Sequence, residues 1–291
     1  MSQTRYPNMH YNTIVIGAGP SGLASAYCLQ ACGFEYTVLE ASNRVVNSWH
    51  GVWPDFRLGQ PVKDVSMPGL NLNAFDPAYH LKRDEIISLF ENYYQQHELK
   101  IEFNLQVTSI QKVHHHIYQV KTTNGDYTAE NIILGVGARQ QPKFPVFVDK
   151  IPEEIRKEKI IHSAWYQGSR SYSSNATILI VGSGLSAISI AEDLLCQTDV
   201  NYKVSLACDY TDAEIKHNNK HLNTIRSLEE LERAGIEKLG GLTDVGEEKY
   251  DLFFNGKKEG ISIHYLTYAT NHKKSRLLQL PRITYKKQKN P

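Results

Sequence analysis

The stretch Tyr11–Gly22, YNTIVIGAGPSG, contains an apolar segment, a glycine-rich turn and the first residues of a helix. The apolar, β-branched run that ends at Ile16 is typical of a buried parallel strand. In the turn, Gly17 permits a tight bend, Gly19 lets the backbone approach a pyrophosphate, and Gly22 lets the helix pack closely on the strand. The amide groups at the start of the helix then point at the phosphates. The stretch therefore predicts a dinucleotide-binding turn formed by Gly17, Gly19, Pro20, Ser21 and Gly22.

The residues after this turn complete a β-α-β unit. A mostly apolar helix is expected to end at Gly33, and the strand Tyr36–Leu39 is followed by Glu40. A carboxylate roughly 20 residues beyond such a turn can accept hydrogen bonds from both hydroxyls of an adenosine ribose. We therefore expect Glu40 to bind the ribose of the same dinucleotide.

The same pattern returns at Ala176–Ala187, ATILIVGSGLSA. Here Gly182, Gly184 and Ala187 take the positions of the three small residues of the first turn. A single motif of this kind is weak evidence, but the strand–turn–helix context is present at both turns. The chain is therefore predicted to hold two dinucleotides and to pass electrons between them.

Composition limits the classes of protein to which the chain can belong. At 291 residues it is long enough for two domains, and its hydrophobic content of 41% is ordinary for a protein without a membrane domain. The net charge of +1 gives no reason to expect nucleic acid or a membrane as partner. No apolar run approaches the roughly 20 residues of a spanning helix. The segment Met1–Asn12 is polar, so no signal peptide is expected, and we predict a cytoplasmic protein.

The cysteines and the histidine run suggest no metal site. The four cysteines lack CxxC spacing, which favours free thiols in a reducing compartment. Cys28 and Cys32 lie one helical turn apart and are expected to be packed thiols. His114–His116 falls between two strands, where adjacent side chains point to opposite faces, so a solvated turn is expected.

Several elements are expected around the two β-α-β units. A long loop, Ala41–Tyr79, is rich in Pro, Gly and Asn, and a loop of this length in a compact protein is usually functional. A helix is predicted from about Arg83 to His97, and Asn124-Gly125 predicts a hairpin turn. The other expected strands are Ile101–Phe103, Val107–Val113, Ile117–Thr122, Tyr127–Ile133, Lys203–Ala207, Leu252–Phe254 and Ile261–Tyr268, with a charged helical region over Thr211–Gly241.

Further segments point to one family. They are Arg44–Trp49 (RVVNSW), Phe56–Pro61 (FRLGQP), Met67–Gly69 (MPG), Gly135–Gly137 (GVG) followed by Pro142 and Pro145, and His162–Tyr166 (HSAWY). With the two turns, they make residues 12 to about 270 resemble the class B flavin-dependent monooxygenases, which include the flavin-containing and Baeyer–Villiger types. The resemblance implies an α/β fold of two Rossmann-like dinucleotide-binding domains, with the NAD(P) domain inserted in the FAD domain. The expected ranges are 1–165 for the FAD domain, 166–262 for the NAD(P) domain, and 263–291 for the return to the FAD domain and a basic tail.

The resemblance also implies the chemistry. NADPH or NADH at the second turn would reduce FAD at the first, and the reduced flavin would react with O2 to a C4a-hydroperoxide that oxygenates a small organic substrate. Gln60 is expected near the reacting edge of the flavin, with a loop-capping role before Pro61 as the competing interpretation. The residues assigned to FAD are Gly17, Gly19, Pro20, Ser21, Gly22, Glu40, Ser48, Trp49, Val107 and Gly137, and those assigned to the pyridine nucleotide are Gly182, Gly184 and Ala187.

The chain departs from the family pattern at several positions, which keeps other functions open. Val46 and Asn47 replace the glycine pair that precedes Ser48 in the family pattern. Because their side chains are larger than glycine, we expect them to narrow the space beside the flavin. Cys208-Asp209 stands where an arginine often binds the 2′-phosphate of NADPH, so NADH becomes plausible. Arg156 and Glu158 replace the Phe and the Gly of the monooxygenase motif, and Asn271 replaces a glycine near the return to the FAD domain. The alternatives are a nucleotide-binding flavoprotein without turnover, acting as a sensor or partner protein, and a flavin reductase on the thioredoxin-reductase-like plan without CxxC.

Overall fold

The computed structural model describes residues 9–114, 116–137, 142, 144–182, 184–197, 199–208, 228–239, 242–245, 252–254, 257–259 and 265–268. The strands of these residues form three sheets. His115, Ser183, Asp209 and Asn271 lie outside the described residues, as does most of the predicted helical region 211–241.

The first sheet has six strands in the order β3-β2-β1-β6-β5-β4. Strand β1 is parallel to both of its neighbours, β2 and β6, whereas β4, β5 and β6 form an antiparallel meander. The elements of this unit are β1 (Met9–Ile16), α1 (Pro20–Ala31), β2 (Tyr36–Leu39), α2 (Asn47–His50), α3 (Arg83–Gln96), β3 (Ile101–Glu102), β4 (Val107–His114), β5 (Ile117–Thr122) and β6 (Gly125–Leu134). The predicted strands and the predicted helix of this region are confirmed, with shifts of at most two residues at their ends.

The hairpin between β5 and β6 is confirmed as well. Gly125 has a φ of +127°, and the Thr122 hydroxyl donates to the Gly125 carbonyl over 2.8 Å. Only glycine adopts such a backbone conformation readily, so the Asn-Gly pair fixes the register of the meander.

The second sheet has five strands, all parallel, in the order β10-β9-β8-β14-β7. Its elements are α4 (Glu153–Lys159), β7 (Ile160–His162), β8 (Thr177–Val181), α5 (Leu185–Leu195), β9 (Lys203–Ala207), α6 (Leu228–Arg233), β10 (Glu237–Leu239) and β14 (Tyr265–Tyr268). Strands β11 (Leu242–Val245), β12 (Leu252–Phe254) and β13 (Lys257–Glu259) form a small antiparallel sheet.

The second sheet extends past the expected domain range at both ends. Strand β7, which we expected in the first domain, and strand β14, which we expected in the return to it, both pair inside the second sheet. These short strands find their partners over long sequence distances, which a local pattern does not encode. We therefore propose that the second unit begins near Ile160 and includes Tyr268.

Side chains alternate between the two faces of the first sheet. Val15 and Val38 join a cluster with the helices α1 and α3, which we call the first core, whereas Ile14, Ile16 and Leu39 face the meander. A separate cluster, the second core, is built by β8, β9 and α5. No described helix is long and apolar enough to cross a bilayer.

The long loop is tied to both cores. The amide groups of Leu58 and Val62 donate to the carbonyls of Leu81 and Tyr79, each over 2.8 Å. Trp49 and Phe56 pack against the first core and against the second. The loop therefore packs between the two units, and the functional role expected from its length stays a prediction.

Candidate functional site

The first glycine turn joins β1, α1 and β2 through backbone hydrogen bonds. Gly17 has a φ of +96°, and its amide donates to the Leu39 carbonyl over 2.9 Å. Gly19 is the N-cap of α1, and its carbonyl accepts the Leu23 amide over 2.9 Å. Helix α1 begins at Pro20, directly after the turn. The amide groups of its first turn have no acceptor inside the helix, so they are available to a ligand at the glycine turn.

The glycines of this turn differ in how crowded they are. A Cβ on Gly17 would lie 2.8 Å from the Gly135 carbonyl oxygen, and a Cβ on Gly22 would collide with the carbonyl oxygen of Gly17. A Cβ on Gly19 would have Gly135 O as its nearest heavy atom, 3.9 Å away. Gly17 and Gly22 are therefore needed for packing, whereas Gly19 leaves the space that a pyrophosphate requires.

Glu40 lies beside the turn and is held in a fixed orientation. Its Oε2 accepts the Ala18 amide over 2.7 Å, and its Oε1 accepts the amide and the hydroxyl of Ser42, both over 2.8 Å. An ionised carboxylate has about four acceptor positions, and three of them are filled, so one position on Oε2 remains for a ribose hydroxyl. The first β-α-β unit therefore fits the adenosine and pyrophosphate half of FAD.

The second turn repeats the hydrogen bonds of the first. Gly182 has a φ of +125°, and its amide donates to the Ala207 carbonyl over 2.9 Å. Gly184 is the N-cap of α5 and accepts the Ile188 amide over 3.2 Å, while Ala187 is fully buried. The turn thus has the geometry of a second pyrophosphate site, at positions that correspond one by one to those of the first.

The matching hydrogen bonds of the two turns show which residue of the second unit corresponds to Glu40. The Glu40 amide donates to the Glu102 carbonyl on β3 over 2.9 Å, and the Cys208 amide donates to the Leu239 carbonyl on β10 over 3.3 Å. The buried Cys208 therefore stands where the first unit has its acid. A thiol neither repels a 2′-phosphate nor replaces a carboxylate as acceptor for ribose, so this position does not select between NADPH and NADH.

Val46 has an unusual backbone conformation beside the first turn. Its φ of +46° and ψ of +35° lie in the left-handed region, which a β-branched residue rarely enters, and its amide donates to the Ala18 carbonyl over 2.9 Å. Such a conformation costs about 1–3 kcal/mol and suits glycine. Val46 therefore holds a backbone conformation that glycine adopts readily, and it fills the position with an isopropyl group that is 1% exposed.

The other residues predicted for the flavin site occupy several segments. Ser48 is exposed on α2, and Trp49 reaches both cores. Val107 opens β4, and Gly137 has a φ of +74° two residues beyond Gly135. Gln60 is half-buried in the loop between Leu58 and Val62, and its predicted place at the flavin edge stays a prediction.

His162 performs a structural role. It is 1% exposed, and its Nδ1 accepts the Ala164 amide over 3.1 Å, which caps a short 3-10 turn. Its ring packs edge-on against Phe144, with 5.5 Å between the centroids. These contacts fix the ring of His162 at the end of strand β7.

Sequence reasoning missed a buried polar pair in the second unit. Asp193 is 8% exposed, and its Oδ2 accepts the Tyr166 hydroxyl over 2.6 Å and the Ser169 amide over 2.8 Å. Burial raises the pKa of the Asp193 carboxyl, and burial together with the nearby carboxylate raises the pKa of the Tyr166 hydroxyl. The adjacent acids Glu192 and Asp193 within the mostly apolar helix α5 were the available signal for this pair.

Comparison with known proteins identifies the group to which these features belong. The profile of the pyridine nucleotide-disulphide oxidoreductases matches residues 14–277. A CzcO-like oxidoreductase of Geobacillus kaustophilus is 30% identical over 204 residues, which cover 70% of this chain and 57% of that protein. The probable indole-3-pyruvate monooxygenase YUCCA1 of Arabidopsis thaliana is 29% identical over 196 residues, or 66% of this chain and 46% of YUCCA1. The chain thus spans about half the length of the curated relatives it matches.

Solved structures show the same fold. The bacillithiol disulfide reductase Bdr of Staphylococcus aureus superposes with a TM-score of 0.70 at 18% identity, over 90% of this chain and 77% of that chain. A flavin-containing monooxygenase of Stenotrophomonas maltophilia superposes with a TM-score of 0.67 at 17% identity, over 89% of this chain and 78% of that chain. These matches confirm the expected two-domain α/β fold, and the curated relatives confirm the resemblance to flavin monooxygenases.

Proposed function

Because the chain belongs to the pyridine nucleotide-disulphide oxidoreductase family, we propose that it is an FAD-dependent oxidoreductase reduced by NADPH or NADH, and that it acts as a monooxygenase on a small organic substrate. The monooxygenase step rests on the flavin monooxygenases among its relatives. The observation that supports the two-nucleotide site most is the repeated hydrogen bond from the first glycine of each turn, from Gly17 to Leu39 and from Gly182 to Ala207.

In this proposal the first unit binds and orients FAD. The amides at the start of α1 and the open space at Gly19 hold the pyrophosphate, and Glu40 accepts hydrogen bonds from the ribose. When bound, FAD supplies the hydride acceptor and the reaction with O2. The chain's own contribution is to position it, and Trp49 helps to exclude water where the loop meets both cores.

The second unit would hold the pyridine nucleotide in the same manner. Gly182, Gly184 and the start of α5 would bind the pyrophosphate, and the small, buried Ala187 lets α5 approach β8. Since Cys208 gives neither a charge nor a strong acceptor, we expect the protein to accept both NADPH and NADH.

The test is O2 consumption by FAD-loaded protein with NADPH or NADH, together with variants of each turn. Gly19→Val should abolish FAD binding, whereas Gly184→Val should keep the bound flavin and abolish its reduction by the nucleotide. An oxygenated product would establish a monooxygenase. If the protein forms hydrogen peroxide but no product from any amine, sulfide or ketone offered, it is an oxidase and the monooxygenase proposal is wrong. Loss of flavin binding in the Gly184→Val variant would contradict the assignment of separate sites.

A nucleotide-binding protein without turnover is the second candidate, and Val46 favours it. Its isopropyl group fills a buried position beside the first turn that glycines keep open in the resembling family. Under this alternative, FAD binds but is not reduced by either nucleotide. The Val46→Gly variant would then gain reduction, whereas under the monooxygenase proposal the unsubstituted protein is already reduced.

A further inference from the structure

A cavity of about 700 Å³ lies between helix α5 of the second unit and the long loop, and its lining includes no residue of either glycine turn. One wall is formed by Ser189 and Glu192 of α5 and by its C-cap Cys196, and the other includes the loop residues Trp53 and Phe56. Glu192 and Cys196 lie at the C-terminal end of the helix, whereas the nucleotide turn is at its N-terminus. The cavity is therefore a separate site, within the size range of small-molecule pockets.

The lining carries both signs of charge. It includes the carboxylates of Asp55, Glu192, Asp193 and Asp199 and the guanidinium groups of Arg57 and Arg170. Oδ2 of Asp193 accepts hydrogen bonds from the Tyr166 hydroxyl and the Ser169 amide. Together the charged groups surround a space where one ligand meets carboxylates and guanidinium groups.

The helix itself adds to the negative side. Helix α5 ends at Leu195, and its last turn contains no basic residue. The free carbonyls at that end carry a partial negative charge, which favours a cation beside Glu192 and Asp199. An ammonium group is therefore stabilised at this wall by two carboxylates and by the helix end.

The loop wall of the cavity is aromatic. Trp53 is 6% exposed, and its ring packs edge-on against Phe56 and Tyr166, with 5.0 Å between the centroids in each pair. This fixed aromatic surface suits an apolar or aromatic side chain, and a tryptophan face also attracts cations.

We propose that this cavity binds a small zwitterion, specifically an aromatic α-amino acid. Its ammonium group contacts Glu192 and Asp199, its carboxylate contacts Arg57 and Arg170, and its ring packs on Trp53 and Phe56. Guanidinium groups match a carboxylate with two parallel hydrogen bonds, which explains two arginines in a cavity that otherwise favours cations. The proposal does not depend on the proposed redox function.

The first test compares three probes by isothermal titration calorimetry with the full chain, without any nucleotide. L-Phenylalanine carries both charges, phenethylamine only the ammonium group, and 3-phenylpropanoate only the carboxylate. We expect each single-charge analogue to bind at least tenfold more weakly than L-phenylalanine. Equal binding of phenethylamine and L-phenylalanine would overturn the role of the arginines, and no binding of L-phenylalanine at millimolar concentration would overturn the proposal.

The second test locates the site. Glu192→Gln and Arg170→Gln should each weaken L-phenylalanine binding at least tenfold, whereas Lys112→Gln, an exposed charge on β4, should leave it unchanged. Ser189→Trp fills the cavity without removing a charge and should abolish binding. Circular dichroism confirms that each variant is folded, and a folded Ser189→Trp variant that still binds L-phenylalanine would place the ligand elsewhere.

Discussion

At the scale of single residues, Val46 holds a left-handed backbone conformation that glycine adopts readily and a β-branched residue rarely enters. The sequence showed the departure from the family pattern, but the left-handed φ becomes visible only in the structure, because nothing local to Arg44–Trp49 fixes it. The amide bond to Ala18 and the buried side chain together hold the backbone in place.

Val46 should therefore respond to substitution in an unusual order. At an ordinary strand position such as Val38, the alanine variant is expected to be more stable than the glycine variant by about 0.5–1 kcal/mol, because glycine loses more backbone entropy. At Val46 the left-handed backbone penalises alanine and not glycine. We expect Val46→Gly to be at least as stable as Val46→Ala in urea unfolding. If Val46→Ala is instead the more stable variant, as expected at Val38, the backbone strain at Val46 is absent.

Asp193 gives a prediction about pH. Burial raises its pKa in the folded state, so the folded protein binds this proton more tightly than the unfolded chain does. Its contribution to stability is therefore present below the unfolded pKa of about 3.9 and is lost as the pH rises through the higher folded value.

Asp193→Asn should remove this pH dependence. Both the Tyr166 hydroxyl and the Ser169 amide donate to the same oxygen, which an asparagine oxygen can replace. We expect the variant to be as stable as the parent or more stable at pH 7, with a flatter profile of unfolding free energy between pH 4 and 7. Asp64→Asn, an exposed carboxylate, is the control. A loss of more than about 2 kcal/mol at pH 7 would mean that the charge itself is stabilising.

At the scale of elements, the two glycine turns were the part of the fold that the sequence predicted best. The strand, turn and helix are contiguous, and the glycines meet local steric demands. Parallel strands β7 and β14 were harder to place, because their partners lie far away in sequence and each has only three or four residues. The cavity beside α5 was not predicted at all, since it depends on how two distant segments pack.

The first turn allows packing and binding to be separated. Gly22→Ala would push a Cβ into the Gly17 carbonyl, and we expect it to destabilise the nucleotide-free protein by about 2 kcal/mol or more. Gly19→Ala meets no close neighbour and should change stability by less than about 1 kcal/mol while weakening FAD binding at least tenfold. Thermal unfolding of the apoprotein and fluorescence titration with FAD measure the two effects. Equal destabilisation by both substitutions would contradict the assigned roles.

At the scale of the whole molecule, the account depends on two units that are joined by one loop. Trp49 and Phe56 touch both cores, and the repeated turns provide one nucleotide site in each unit. Electron transfer between two bound nucleotides requires both sites and their relative placement, so a measurement on the intact chain is the one that matters.

The most direct measurement is the visible absorbance spectrum of the FAD-loaded protein during anaerobic addition of NADPH or NADH. The account predicts a flavin band that bleaches with either nucleotide, and that fails to bleach when Gly184→Val has removed the second site. A protein that binds no FAD, or a flavin band that neither nucleotide bleaches, would contradict hydride transfer between the two units.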